Sequence, residues 1–475
     1  MMRKLLLILL GFVLAGCGAS RVSTPVRPDQ LSFPALQFIF PKVEHAKLDN
    51  GIEIYLKSDH DLPLVEVTVM VGGGSVFDPP DKTGLSELFV DSLRSGGAGE
   101  LSPDAFDETL DDMAVDLSVD SSSYAYTLDM SMRRADAVRA FGLLADLLRR
   151  PDFNPQRIEV ARQGLIDGVR RRNDNPAAIA GRTLAQTIYR DHPFGRVAKI
   201  STLDNISRDD LLRLHQTYFQ PQNLSVAVSG DISLDELKNL LNQLLGDWQE
   251  TAQPDLEPPP LPEMPRQGGV AIADKDIPQT TILIGQPGID KNNPDLMALK
   301  VANFILGGGG FNSRMMREIR SNRGLAYSVY SYFQVGRELP ELFVAQCETK
   351  CESTLEVVSL MRAQMQELID KPVSARELKT AKDSLINSFV FAFTSSHSIV
   401  TRQQRLDFYH YPADYMQTYR SRIAAVTAAD VQRVAAKYLH PDQLQIVLVG
   451  RRNEFEQDPA AALGLPERDV DLNLE

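Results

Sequence analysis

The chain has 475 residues, 43% of them hydrophobic and 24% charged, with a formal net charge of −13. That length permits more than one buried core, the hydrophobic share excludes a disordered chain, and the acidic balance argues against nucleic acid as a partner. Only three cysteines occur, with no zinc-knuckle spacing.

The first element is a leader. Arg3 and Lys4 precede an apolar run over residues 5–15, too short to span a bilayer and followed by a cysteine, which is the pattern of a secretion signal. Leu14-Ala15-Gly16-Cys17 is similar to the bacterial lipobox, in which the cysteine is lipidated and becomes the first residue after cleavage. The expectation is a signal peptide over 1–16 and a membrane anchor through lipid on Cys17. The other reading is an uncleaved apolar anchor with an incidental cysteine. Cleavage removes the cations Arg3 and Lys4 and takes the charge from −13 to −15. Gly18 replaces the Asp that argues for inner-membrane retention, so the expected location is periplasmic, with the outer membrane favoured over the inner. Residues 17–40 read as a tether.

A first folded domain is expected over 41–250. After the turn signal Leu48-Asp49-Asn50-Gly51, residues 52–56 and 65–71 alternate as β-strands and read as an antiparallel pair. An apolar helix opens at Thr83-Gly84-Leu85. Ser102-Pro103 starts a second helix that runs to Met113. Residues 115–119 and 123–132 form another strand pair, and 134–150 and 158–169 have helical apolar spacing. The Arg170-Arg171-Arg172 run reads as a solvated helix end, with a face toward an acidic substrate tail as the other reading.

An internal repeat at an offset of 220 residues sets the architecture. Tyr218, Pro221, Leu224, Val226, Val228 and Gly230 are echoed by Tyr438, Pro441, Leu444, Ile446, Leu448 and Gly450, each set after a capped helix. Between the copies, residues 251–265 carry six prolines and read as an extended, semi-rigid linker. The second domain is expected over 266–460, with a tail over 461–475. It opens with a strand at 279–285 and a helix at 295–306, followed by Gly307, Gly308, Gly309 and Gly310. No Gly-Lys-Ser/Thr follows, so these glycines are not a phosphate loop.

Several stretches together resemble one family. They are the Gly-rich strand end Val71-Gly72-Gly73-Gly74-Ser75, the Pro79-Pro80 turn, Thr83-Gly84-Leu85, residues 143–153 and 170–176, Asp191-His192-Pro193-Phe194-Gly195-Arg196, and above all residues 307–327 ending in Arg323-Gly324-Leu325-Ala326-Tyr327. The chain resembles the pitrilysin and insulinase-like metallopeptidases over nearly its whole mature length. The resemblance implies an α+β fold of two homologous half-repeats, each an antiparallel-rich sheet packed with helices.

In that family a helix carries His-x-x-Glu-His, two zinc ligands and a general base, with a third ligand downstream. Here those positions read Glu87, Val90 and Asp91, with Asp167 as the third ligand position. A valine takes no proton, and three carboxylates suit a hard cation better than zinc while supplying too few oxygens. No cofactor is therefore expected in this chain, and zinc is expected on a partner. The resemblance makes Gly307 to Gly310 a substrate loop. It gives Arg323 and Tyr327, four residues apart on one helical face or turn, the roles of orienting substrate and donating to an oxyanion at a metal site; the bland alternative is a surface arginine and a core-edge tyrosine.

The seven histidines supply no His-x-x-Glu-His or His-x-x-x-His pair, and His192 reads as a turn residue. Cys347 and Cys351 leave a disulfide or two buried thiols equally open. Three functional readings follow. The first is the non-catalytic Arg/Tyr subunit of a heterodimeric zinc protease, with a zinc-bearing pitrilysin-like paralogue as partner and a peptide as substrate. The second is a stand-alone peptide-binding or envelope scaffold. The third is an active peptidase with a carboxylate metal site.

Overall fold

The 220-residue repeat becomes two six-stranded sheets that share the order of five of their strands. A computed structural model describes residues 38–249, 254–468, 470 and 472; the leader, Cys17 and most of the tether lie outside the described residues. The first sheet contains β1 (Glu44–Lys47), β2 (Glu53–Ser58), β3 (Leu64–Gly72), β4 (Asp116–Ser121), β5 (Ala125–Arg133) and β6 (Leu224–Gly230), in the order β1-β2-β6-β3-β5-β4. The second half has β7 (Gly269–Asp274), β8 (Gln279–Pro287), β9 (Ile289–Asp290), β10 (Ala326–Phe333), β11 (Val335–Gly336), β12 (Leu342–Lys350), β13 (Gln445–Gly450) and β14 (Glu467–Arg468). Its main sheet reads β14-β7-β13-β8-β12-β10, while β9 and β11 pair separately. The repeated strands β6 and β13 occupy the same place. Each runs parallel to one neighbour, β2 or β7, and antiparallel to the other, β3 or β8. This is the expected α+β class of two half-repeats.

The strand pair expected at 52–56 and 65–71 is corrected. β2 and β3 run antiparallel but are not neighbours, because β6 lies between them, with Val226 opposite both Ile54 and Val69. β2 forms its hairpin with β1 instead, through a turn where Gly51 adopts φ 98°. The physical reason is burial: Leu224 to Ser229 are all buried, and a strand covered on both faces belongs at the centre of a sheet whatever its place in the chain.

The halves exchange helices. Pro176–Tyr189 leaves the first half and packs on the second sheet, where Ile179, Leu184 and Ile188 join Leu283, Val344 and Val447 in one apolar cluster. Ser396–Phe408 does the reverse, placing Val400 against Tyr55 and Ala227 of the first sheet. Their first residues, 176 and 396, differ by the repeat offset. Each sheet thus has its own half's helices on one face and a helix from the other half on the opposite face.

Residues 254–265 of the linker have no regular structure, yet Leu261 and Met264 pack against the Pro176–Tyr189 cluster. The linker is therefore docked as well as extended. His192 sets its course: Nδ1 accepts from the Phe194 N–H at 3.2 Å, so Nε2 carries the proton given to the Pro259 carbonyl at 3.0 Å.

Candidate functional site

The Leu85–Ser95 helix is fixed at its start and at its middle. Gly84 precedes it at φ 100°, a left-handed conformation that favours glycine, and a Cβ there would stand 2.8 Å from Leu203 Cδ2. The buried Asp78 carboxylate accepts from the N–H groups of Gly84 and Ser86, each at 3.2 Å, and from Ser86 Oγ at 2.6 Å. It caps the positive end of the helix from outside the helix itself. Burial raises its pKa to about 6 against those donors. Ser86 Oγ also lies 2.9 Å from Tyr126 Oη, which ties the cap to β5. Nearly one turn on, Phe89 stands within 5.2–5.5 Å of the rings of Tyr126, Phe153 and Phe219.

With that face buried, Glu87 and Asp91 point to solvent from one side of the helix while Val90, 6% exposed, joins the core. Protein mass around Glu87 raises its pKa, helped by the charge of Asp91; Asp91 is raised likewise, by partial burial and then by Asp120. Neither has an ion-pair partner among the described residues. Asp167, on the Pro155–Arg171 helix, is exposed and paired with Arg170 Nη1 at 3.0 Å. Among the described residues no three His, Cys, Asp or Glu side chains are placed to hold a metal ion. The residues present do not fit zinc: there is no imidazole, the base position is a buried valine, and the third carboxylate is engaged by arginine.

The Arg/Tyr element lies at a turn and not on one helical face. Met316–Asn322 is a π-helix, Arg323 caps it, Gly324 turns at φ 68°, and Tyr327 lies in β10. Arg323 and Tyr327 therefore share no helical face. Arg323 Nε donates to Glu318 at 2.8 Å and Nη1 to Glu356 at 2.9 Å. Tyr327 is 82% exposed. Its companion is Arg320, whose guanidinium lies 4.4 Å from the Tyr327 ring and 4.7 Å from that of Phe311, and whose Nη1 donates to the Tyr327 carbonyl at 2.7 Å. Reading by sequence spacing missed Arg320 and Phe311, because a π-turn shifts the phase of every side chain beyond it.

The four glycines are mostly helical, not an open loop. Gly307 and Gly308 end the π-turn Phe304–Gly308, and Gly310 begins the short turn Gly310–Asn312 at φ 55°. Gly307 is buried against β10, where a Cβ would stand 2.6 Å from the Ser331 nitrogen. Asn303 closes the same stretch, with Nδ2 3.0 Å from the Ser331 carbonyl. Cys347 and Cys351 are separate buried thiols, nearest the carbonyls of Glu348 and Ile277.

Comparison with known proteins matches this arrangement. A family model described as Insulinase (Peptidase family M16) matches residues 53–199, and one described as Peptidase M16 inactive domain matches residues 205–385. Non-peptidase homolog YmxG of Helicobacter pylori is 25% identical over 408 residues, 85% of this chain and 93% of that protein. An uncharacterized zinc protease of Mycobacterium leprae is 27% identical over 325 residues, 67% of this chain and 70% of that protein. A solved peptidase M16 inactive domain from Pseudomonas fluorescens superposes with a TM-score of 0.77 at 22% identity, covering 86% of this chain and 98% of that one. A protease structure from Helicobacter pylori gives 0.77 at 19% identity, covering 87% and 100%.

Proposed function

The chain belongs to the insulinase family of peptidases, and from that premise we propose that it works as the non-catalytic subunit of a heterodimeric zinc protease, anchored by lipid on Cys17 in the periplasm. The observation that carries this reading is the asymmetry between its two functional elements. On the Leu85–Ser95 helix the ligand positions are carboxylates and the base position is core, whereas Tyr327 projects with its hydroxyl unpartnered among the described residues. A phenol held at a surface by a cation beneath its ring is suited to donate to charge developing on a substrate bound elsewhere. The zinc belongs to a pitrilysin-like paralogue in this reading, and the substrate is a peptide or unfolded protein.

The test is peptide hydrolysis by the reconstituted pair. Tyr327→Phe lowers kcat by about a hundredfold, because one oxyanion donor contributes on the order of 3 kcal/mol. Size-exclusion chromatography shows the complex intact. Unchanged turnover makes the tyrosine structural.

One observation favours a second reading, a stand-alone peptide-binding scaffold of the envelope. Arg323 already meets two carboxylates, Glu318 and Glu356, which is what a purely structural arginine does. Among the described residues no helix is long and apolar enough to cross a membrane.

A further inference from the structure

Between the halves lies a cavity of about 360 Å³ that the partner-subunit reading leaves without a role. Leu184, Tyr189 and Phe194 line it from the first half; Tyr332, Leu342 and Val344 line it from the second. A single charged side chain, Glu341, is among its walls. Glu341 has no ion-pair partner among the described residues, and burial raises its pKa against a weaker pull from Arg337. Beside it Tyr189 is 3% exposed, with a buried hydroxyl that has no hydrogen-bond partner among the described residues. That phenol is raised by burial and then by the Glu341 charge, which places the two groups in one field.

A desolvated carboxylate in an aromatic cavity is a cost to the fold, and a cationic ligand relieves it. We propose that this cavity binds one guanidinium or ammonium group on an aliphatic stem, as an arginine or lysine side chain carries it. Glu341 supplies the counter-charge, and the rings of Phe194 and Tyr332 meet the stem and the cation face. The volume is at the low end for small-ligand sites and admits one long side chain. The larger cavity beside His45 is less apt, because its carboxylates are already engaged: Glu53 meets His45 and Lys47, each at 2.7 Å, Glu338 meets Lys291 at 3.0 Å, and Asp407 accepts from Gln403 Nε2 at 2.9 and 3.1 Å. That the cation arrives on a peptide rests on the peptide-handling reading above; the chemistry of the cavity does not.

The test is calorimetric titration of the full chain in detergent with N-acetyl-arginine amide, its neutral isostere N-acetyl-citrulline amide, free arginine, and a Gly-Ser peptide bearing one arginine. The expected result is binding of the cations and at least tenfold weaker binding of the citrulline amide. Glu341→Gln weakens the arginine amide at least tenfold, the variant melting with the unaltered protein. Equal affinity for citrulline and arginine amides, an unaffected Glu341→Gln variant, or no binding by any cation overturns the proposal. Tighter binding of the peptide than of free arginine assigns a peptide source, and the reverse order assigns a free amino acid; either supports the cation site. Hydrolysis by the reconstituted pair is measured separately, so failure of one reading leaves the other standing.

Discussion

His397 Nε2 lies 3.0 Å from Thr68 Oγ1, a contact across 329 residues of chain, and its Nδ1 lies 3.1 Å from Ser229 Oγ. The imidazole stands on the exchanged Ser396–Phe408 helix and touches β3 and β6 of the other half. Two turns along, Gln404 Nε2 donates to the carbonyls of Thr68 at 3.1 Å and Ser225 at 3.0 Å. These side chains fix the register of the helix on a sheet face that apolar contact alone would leave free to slide. His397→Ala should cost about 2 kcal/mol, the scale of leaving buried hydroxyls short of a partner. The measurement is the urea midpoint; an unchanged midpoint means the halves are held by Val400 and its apolar neighbours alone.

His215 should contribute an acid sensitivity that begins just below pH 6.5. His215 is buried, bonded through Nε2 to the Leu148 carbonyl at 3.1 Å and stacked on Phe219, and burial lowers its pKa to about 4. Between 6.5 and 4 the unfolded chain binds a proton that the folded chain refuses, so stability falls as pH falls through that window, by about 3 kcal/mol at most. His397 is lowered as well and acts in the same direction. Asp78 opposes them: with its pKa raised to about 6, it favours the folded state increasingly as pH drops from 6 toward 4. His215→Phe should therefore flatten the decline in urea midpoint between pH 7.5 and 5. A decline as steep as that of the unaltered protein assigns the acid sensitivity elsewhere.

The purified, partner-free chain should carry no stoichiometric zinc and cleave no unstructured peptide, since Glu87 and Asp91 replace both imidazoles. Restoring a base alone should do harm. Val90→Glu places a carboxylate in a core position and should lower stability by about 2–4 kcal/mol without creating activity. Metal analysis and a peptidase assay check the first statement, and urea unfolding checks the second. Chelator-sensitive turnover by the unaltered chain would sink the non-catalytic reading.

Cys17→Ser should release or mislocalise the protein. The check is fractionation after high-salt and carbonate washing. Substituted protein that stays with the membranes rules out a lipid anchor at this position.

The amino-acid sequence by itself determined the two-half design, because a repeat of Tyr-x-x-Pro turns and buried strands at a fixed offset is written in residue order and needs no contacts to be seen. It also determined which chemistry the Leu85–Ser95 helix lacks, since no packing turns Glu87, Val90 and Asp91 into two imidazoles and a base. Tertiary structure decided what lies next to what. Periodicity marked 52–56 and 65–71 as strands but carried no information about β6, inserted between them from more than 150 residues downstream. The exchange of helices between halves was likewise hidden, for an amphipathic pattern states that a face is buried and not which sheet buries it. At the Arg/Tyr element the π-helix Met316–Asn322 broke the i, i+4 relation on which spacing depends, so Tyr327 came to rest on Arg320 and Arg323 turned to Glu318 and Glu356. Glu341 and Tyr189 meet only because two halves of one chain close on each other, and their shared cavity is a property of that closure.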